Sequence, residues 1–154
     1  MNIAFCSGLI FTLFGLYMLR HAITQHRKAV ASLKWPAIKG EMLEVHLWGK
    51  RNIGGEIKEV NNLVVEYSYE AGGSLHKGSN ATYYTLMYPD TVEFAEAHPA
   101  GAKVDIHYDP HKPGDSVVIP GPRESKPYSD LLLGGVGILI GLMVMISAYM
   151  GWIG

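Results

Sequence analysis

Cysteine is almost missing from this chain. Cys6 stands alone, which excludes an intrachain disulfide framework and a cysteine-based metal knuckle. An excess of either charge is missing as well. The 13 Lys and Arg nearly balance the 14 Asp and Glu. Binding to nucleic acid through phosphates needs a cationic surplus, so nucleic acid is excluded as a partner. The same balance excludes a disordered acidic or basic tail. No GxSxG, HExxH or phosphate-cradling GxxxxGK string occurs. Most telling is where charge is lacking. Every Lys, Arg, Asp and Glu lies between Arg20 and Asp130, and both ends of the chain carry none. What remains is 154 residues, 48% of them apolar, with two uncharged ends around one polar middle. That pattern points to a small membrane protein.

The first uncharged run is IAFCSGLIFTLFGLYML, Ile3 to Leu19. As a helix it rises roughly 25 Å, close to the hydrocarbon thickness of a bilayer. No Lys or Arg precedes it, whereas Arg20, Arg27, Lys28 and Lys34 follow, which fits a retained membrane helix better than a cleaved signal peptide. Ile23, Val30 and Leu33 recur near helical spacing, so the helix should continue to about residue 33, where Trp35-Pro36 ends it. The second run, Leu131 to Ile153, reads LLLGGVGILIGLMVMISAYMGWI and is long enough to cross with some tilt. Asp130 marks its start, and Tyr149 and Trp152 sit where an interfacial aromatic belt belongs.

Both runs carry small residues at close-packing intervals. Gly137 and Gly141 form GxxxG, Ser147 and Gly151 repeat that spacing, and Ala4, Gly8 and Thr12 line one face of the first run. Small faces let helix backbones approach closely in lipid, so these are the expected helix-packing residues, between the two spans or between subunits. Residues 20–39 hold Arg20, Arg27, Lys28, Lys34 and Lys39 with no acid. The positive-inside rule then places the middle of the chain in the cytoplasm, the alternative being the periplasm, in a protein of the bacterial inner membrane. Arg20, Arg27 and Lys28 are the expected membrane-surface residues, near lipid head groups.

From Gly40 the period changes to two. Leu43, Val45 and Leu47 alternate with Glu44 and His46, and Leu63, Val65, Tyr67 and Tyr69 alternate with Glu66, Ser68 and Glu70. Between them Lys50 to Glu59 reads as a polar loop tipped by Gly54-Gly55. Ala71-Gly72-Gly73 makes a hairpin turn into a third strand, Ser74 to Tyr84. Asp90 reads as the N-cap of a short helix, with Glu93 completing a capping box and Phe94 and Ala97 facing inward. Val104, Ile106 and Tyr108 form a fourth strand and Ser116 to Ile119 a fifth. The expected fold is therefore an α+β membrane protein. Two transmembrane helices (3–19 and 131–153) flank a small mostly-β domain at 35–121, with a linker at 122–130. Three strands, a helix and two strands suit a five-stranded OB-like barrel, with an SH3-like barrel fitting almost as well.

These residues also carry a resemblance. VEYSYEAGGSLHKGS, at Val65 to Ser79, resembles the central hairpin of the domain of unknown function 3592 family. HPAGAKVDIHYDPHKPGDSVVIPG, at His98 to Gly121, is similar to its second signature, and Trp35-Pro36 with Gly40 to its opening WPxxxG. His98 and the pair Ile106-His107 depart from the residues usual there. The resemblance implies a small β fold with flanking membrane helices. It implies no reaction and no catalytic residues.

Seven histidines leave little room for a metal. His107 and His111 are separated by Pro110, and His21 and His26 diverge around a helix. His46, His76 and His107 occupy outward strand positions where they could meet across the sheet. Zinc sites want three or four converging ligands, so no metal and no cofactor is expected. Trp48, Tyr83, Tyr84 and Tyr88 are the candidate aromatic surface for a partner, with burial of the tyrosines against the short helix as the competing reading. The expected function is non-enzymatic: a membrane-anchored interaction or accessory module, serving a membrane protein complex or forming a homo-oligomer. The alternatives are a membrane-anchored ligand sensor or an immunity or stress protein of the envelope.

Overall fold

A computed structural model of the chain describes residues 3–123 and 129–151. Its elements are α1 (Ile3–Ser32), β1 (Ala37–Ile53), β2 (Glu56–Ala71), β3 (Ser74–Gly78), α2 (Asp90–Ala97), β4 (Lys103–Asp109), β5 (Lys112–Val117) and α3 (Ser129–Tyr149). Two compact units result: Met1–Arg27 with Arg123–Gly154, and Lys28–Pro122. Trp152 and Lys126, and the side chain of Asp130, lie outside the described residues.

In the first unit α1 and α3 are each long and apolar enough to cross a membrane. They pack antiparallel on a seam of small residues. Gly8 faces Gly141 and Met145, Thr12 faces Gly141, Gly15 faces Gly137 and Ile138, and Leu19 faces Gly134. The approach is backbone to backbone. A methyl group at Gly8 would stand 2.8 Å from the Met145 nitrogen, and one at Gly15 would stand 2.8 Å from the Ile138 nitrogen. The Thr12 hydroxyl donates to the Gly8 carbonyl at 2.8 Å, which satisfies it within the helix. Ala4, Gly8, Thr12, Gly137 and Gly141 thus fall on or beside the buried stripe. Gly151 does not: it lies beyond α3, exposed, with φ at +73°. Ala148 is the buried residue near that end, while Ser147 is only half-buried beside it. The seam advances by alternating steps of three and four, so a strict four-residue spacing drifts off it. Gly15 and Gly134 belong to the seam for the same reason.

The second unit is a five-stranded antiparallel sheet in the order β3-β2-β1-β4-β5. Its two outer edges come together. The backbone N–H groups of Val118 and Ile119 donate to the carbonyls of Asn80 and Ala81 at 3.2 and 2.9 Å, just past β5 and β3. Inside lie Met42, Val65, Tyr67, Tyr69, Val104, Ile106 and Val118, with Phe94 of α2 packed on them. Tyr67 is fully buried, yet its hydroxyl reaches the Asn80 carbonyl at 3.2 Å and Ser116 Oγ at 3.0 Å, so that hydroxyl is not stranded.

Several elements differ from the sequence reading. Residues 50–59 are not a loop: β1 and β2 run on as a hairpin, closed by Gly54-Gly55 with both φ values positive, as a two-residue type I′ turn requires. Their polarity reflects two wet faces rather than missing structure. Leu43 is exposed and Met42 is buried, because the register shifts between Met42 and Glu44 and turns Leu43 outward. β3 ends at Gly78 instead of Tyr84, and β5 starts at Lys112 and ends at Val117. The residue capping α2 is Pro89, without a side-chain cap, and Asp90 is in the first turn. Ala97 is exposed; Thr91 is the buried partner of Phe94, its hydroxyl donating to the Val60 carbonyl at 2.6 Å.

Candidate binding cleft

β2 is paired on both sides only over Tyr67 to Tyr69. Beyond Gly78 the chain leaves β2 and bonds instead to residues 118 and 119. Gly78, the last paired residue, must be small: a side chain there would run into the Tyr67 ring and stand 2.6 Å from Ser116 Oγ. Between β2 and the departing segment a cleft of about 410 Å³ opens, lined by Asn62–Val65, Ser79–Thr82, Tyr84–Leu86 and Trp48. None of these side chains is ionisable at neutral pH. Trp48 is 54% exposed and forms one wall. Beside it Gly49 holds φ at +84°, and a side chain there would stand 2.6 Å from the Asn62 amide nitrogen, so the glycine lets Asn62 pack against the turn.

The four aromatic candidates separate. Trp48 and Tyr84 line the cleft together. Tyr88 lies half-buried away from it, with the Arg51 guanidinium 5.2 Å from its ring centre. Tyr83 is not a surface residue. It is buried with Ala29 and Val117, edge-on to Trp35, and therefore against α1 and β5 rather than α2. Burial, with the Asp115 charge nearby, pushes its phenol well above the usual range. Burial likewise pushes Tyr67 up to about 12. The sequence reading missed Asn62, Ser79 and Leu86, whose only signal is that the third strand stops early.

Lys28, expected near lipid head groups, is held by the sheet domain. Its ammonium pairs with Asp115 Oδ2 at 3.1 Å and stands 5.8 Å from the Tyr83 ring centre. Lys112 reaches the same carboxylate at 3.3 Å. Lys39, also counted among the unopposed cations, pairs with Asp105 at 2.8 Å. The acids that pair with Lys28 and Lys39 come from β5 and β4, far along the chain. Arg20 and Arg27 are exposed. One turn on from Lys28, Ser32 Oγ accepts the Gly121 N–H at 3.0 Å and donates to the Ala29 carbonyl at 2.7 Å, with no exposure. The end of α1 is thus bonded to β5 and to the segment that follows it.

This clasp makes a pH prediction. Burial alone would raise the Asp115 carboxyl, but hydrogen bonds from Lys28 and Lys112, with their charges, outweigh it and hold the group below the usual value. A carboxyl lowered by folding stabilises the fold above its unfolded value of about 3.9 and loses that contribution as pH falls further. Acid unfolding of the wild type should therefore show a component below about pH 4 that Asp115→Asn lacks. Comparison of the two urea midpoints at pH 7 and pH 3 checks it; a constant difference would remove the clasp's electrostatic role.

The histidines stay apart. His46 pairs with Glu44 at 2.9 Å, His76 stacks on Tyr69, and His107 lies on β4 with its Nδ1 buried and unbonded. Among the described residues no three His, Cys, Asp or Glu are grouped to hold a metal.

A family model described as Domain of unknown function (DUF3592) matches residues 39–123, more than half of the chain. The chain belongs to this family. The match runs from Lys39 in β1 through the segment after β5, so the DUF3592 domain contains all of the sheet but the first two residues of β1, together with α2 and the cleft. Trp35-Pro36 lies just before the matched residues, and all of α1 and α3 lie outside them. No curated protein and no solved structure matches the chain.

Proposed function

We propose that this chain is a non-enzymatic membrane-anchored interaction module, an accessory to a larger membrane protein assembly. The observation that carries the reading is the pairing of two apolar helices with a separately folded domain whose cleft holds no side chain charged at neutral pH. Only 17% of the apolar window in each helix is buried, and Phe11, Phe14, Leu132 and Leu139 are exposed on the outer faces. Such a surface needs lipid around it. Both helices then cross the bilayer, in a bacterial inner membrane, with the DUF3592 domain on the cytoplasmic side. The strand order, the helix between β3 and β4, and the meeting of β3 and β5 support an OB-type barrel over an SH3-like one.

The test is cross-linking in intact cells followed by purification in mild detergent and quantitative mass spectrometry. The expected result is one membrane protein at a fixed ratio to this chain. Recovery of the chain alone, with no neighbour at constant stoichiometry, would overturn the assignment.

A further inference from the structure

We propose that the cleft is a strand-acceptor site: it takes an uncharged, extended peptide segment of the partner, which adds to the open edge of β2. The inference rests on the interaction-module reading and names the chemistry of its ligand.

Four consecutive residues of β2, Asn62, Leu63, Val64 and Val65, line the cleft. Side chains of a strand alternate between faces, so a run of consecutive residues in one wall means that the wall is the strand's edge. That edge is open. β3 pairs with β2 only from Tyr67 onward, and the Thr91 hydroxyl of α2 bonds the Val60 carbonyl before the run begins. Among the described residues, no backbone hydrogen bond joins residues 61–66 of β2 to the segment 79–86 opposite. The opposite wall has the same character. Ser79 to Thr82 are again consecutive, and the carbonyls of Asn80 and Ala81 are turned to residues 118 and 119 on their far side. The cleft is therefore the place where β3 would have continued had it stayed on β2.

Backbone groups on an open edge seek another backbone, and strand addition is the general way a peptide supplies one. Four residues of β2 span roughly 13 Å, enough to pair with a segment of about four residues. The wall chemistry sets the sequence class. Trp48, Leu63, Val65 and Leu86 offer apolar contact, while Asn62, Ser79 and Thr85 offer neutral polar groups. No side chain in the lining can compensate a buried charge, so Lys, Arg, Asp and Glu are disfavoured in the bound segment. Trp48 stands at one side of the slot, half exposed, placed to cover a bound side chain.

The full chain in detergent tests this against a synthetic array of capped, uncharged octapeptides rich in Val, Thr, Tyr and Asn. Each is made also with N-methyl groups on alternate residues, and maltohexaose and chitohexaose serve as neutral carbohydrate probes. The expected result is binding of a subset of peptides that weakens about tenfold or more when alternate amides are methylated in one register and not in the other, since each lost main-chain bond is worth roughly 1 kcal/mol. Trp48→Ala should weaken the same peptides, and Leu75→Ala, an exposed change on β3 away from the cleft, should not. Binding indifferent to N-methylation, binding of the oligosaccharides alone, or no binding at all would each overturn the proposal. A partner that co-purifies at fixed stoichiometry with both wild type and Trp48→Ala would sink the strand-acceptor site and leave the interaction module standing. Absence of any partner would sink the module itself.

Discussion

Replacing Gly141 with leucine is expected to pry apart the two apolar helices while leaving the sheet domain folded. A side chain at Gly141 would run into Thr12 Oγ1 and lie 2.6 Å from the Thr12 nitrogen and 2.9 Å from the Gly8 carbonyl oxygen. Two of those three obstacles are backbone and cannot rotate away. In lipid no hydrophobic drive restores the pair, because tails solvate the separated helices as well as the helices solvate each other. The cost should be about 1–3 kcal/mol, as for overpacking in a filled core. Gly137→Ala provides the contrast. A methyl there meets only the Gly15 Cα at 3.6 Å, an ordinary contact, so it should be nearly neutral. Thermal unfolding in detergent checks both, with far-UV circular dichroism following the helices and near-UV following the aromatic core of the sheet. A wild-type helix transition in Gly141→Leu would show the seam to be tolerant, and the close approach to have no energetic weight.

A second large effect is expected inside the sheet domain. Gly78→Val should destabilise it by about 3 kcal/mol, the upper end for inserting volume where nothing can yield. The added carbon would meet the ring of Tyr67, which is itself held by its hydroxyl between Asn80 and Ser116. A domain this size has little more than 5–15 kcal/mol in hand, so the urea midpoint should fall visibly. Tyr67→Leu alone should also destabilise, by loss of ring volume and hydroxyl partners. Combined with Gly78→Ala it should cost less than the sum of the two, since the shortened side chain frees the space the methyl needs. Strict additivity in that double-mutant cycle would mean that Gly78 and Tyr67 are not in competition for one volume.

The same domain shows what the sequence could and could not convey. Val104, Ile106, Tyr67 and Tyr69 announce their burial through alternation, and Gly72-Gly73 and the two uncharged runs announce their turn and helices through composition alone. Those signals are local. The end of β3 is not local: residues 79–84 keep strand-like composition, yet Asn80 and Ala81 bond to Val118 and Ile119, almost forty residues later, instead of to β2. The cleft is a product of that departure and so has no motif. Leu43 illustrates the converse. Its alternation with Val45 is regular, yet a bulge invisible in the pattern turns it outward and puts Met42 in the core. The ion pair of Lys28 has no local signal for a similar reason, since its partner Asp115 arrives from the far end of the domain. The helix seam was half legible because GxxxG finds Gly137 and Gly141, but the three-residue steps that bring in Gly15 and Gly134 depend on having an antiparallel partner.

Membrane anchoring with the DUF3592 domain held in the cytoplasm is the claim on which the functional proposal stands. Its most direct test uses a Cys6→Ala background with single cysteines at Lys58, exposed on the β1–β2 hairpin, or appended at the C-terminus. A membrane-impermeant maleimide is applied to intact cells and again after lysis. Two crossing helices and a cytoplasmic domain require that the C-terminal cysteine react in intact cells and that Lys58→Cys react only after lysis. Labelling of Lys58→Cys in intact cells, with the C-terminal cysteine protected, would contradict the account.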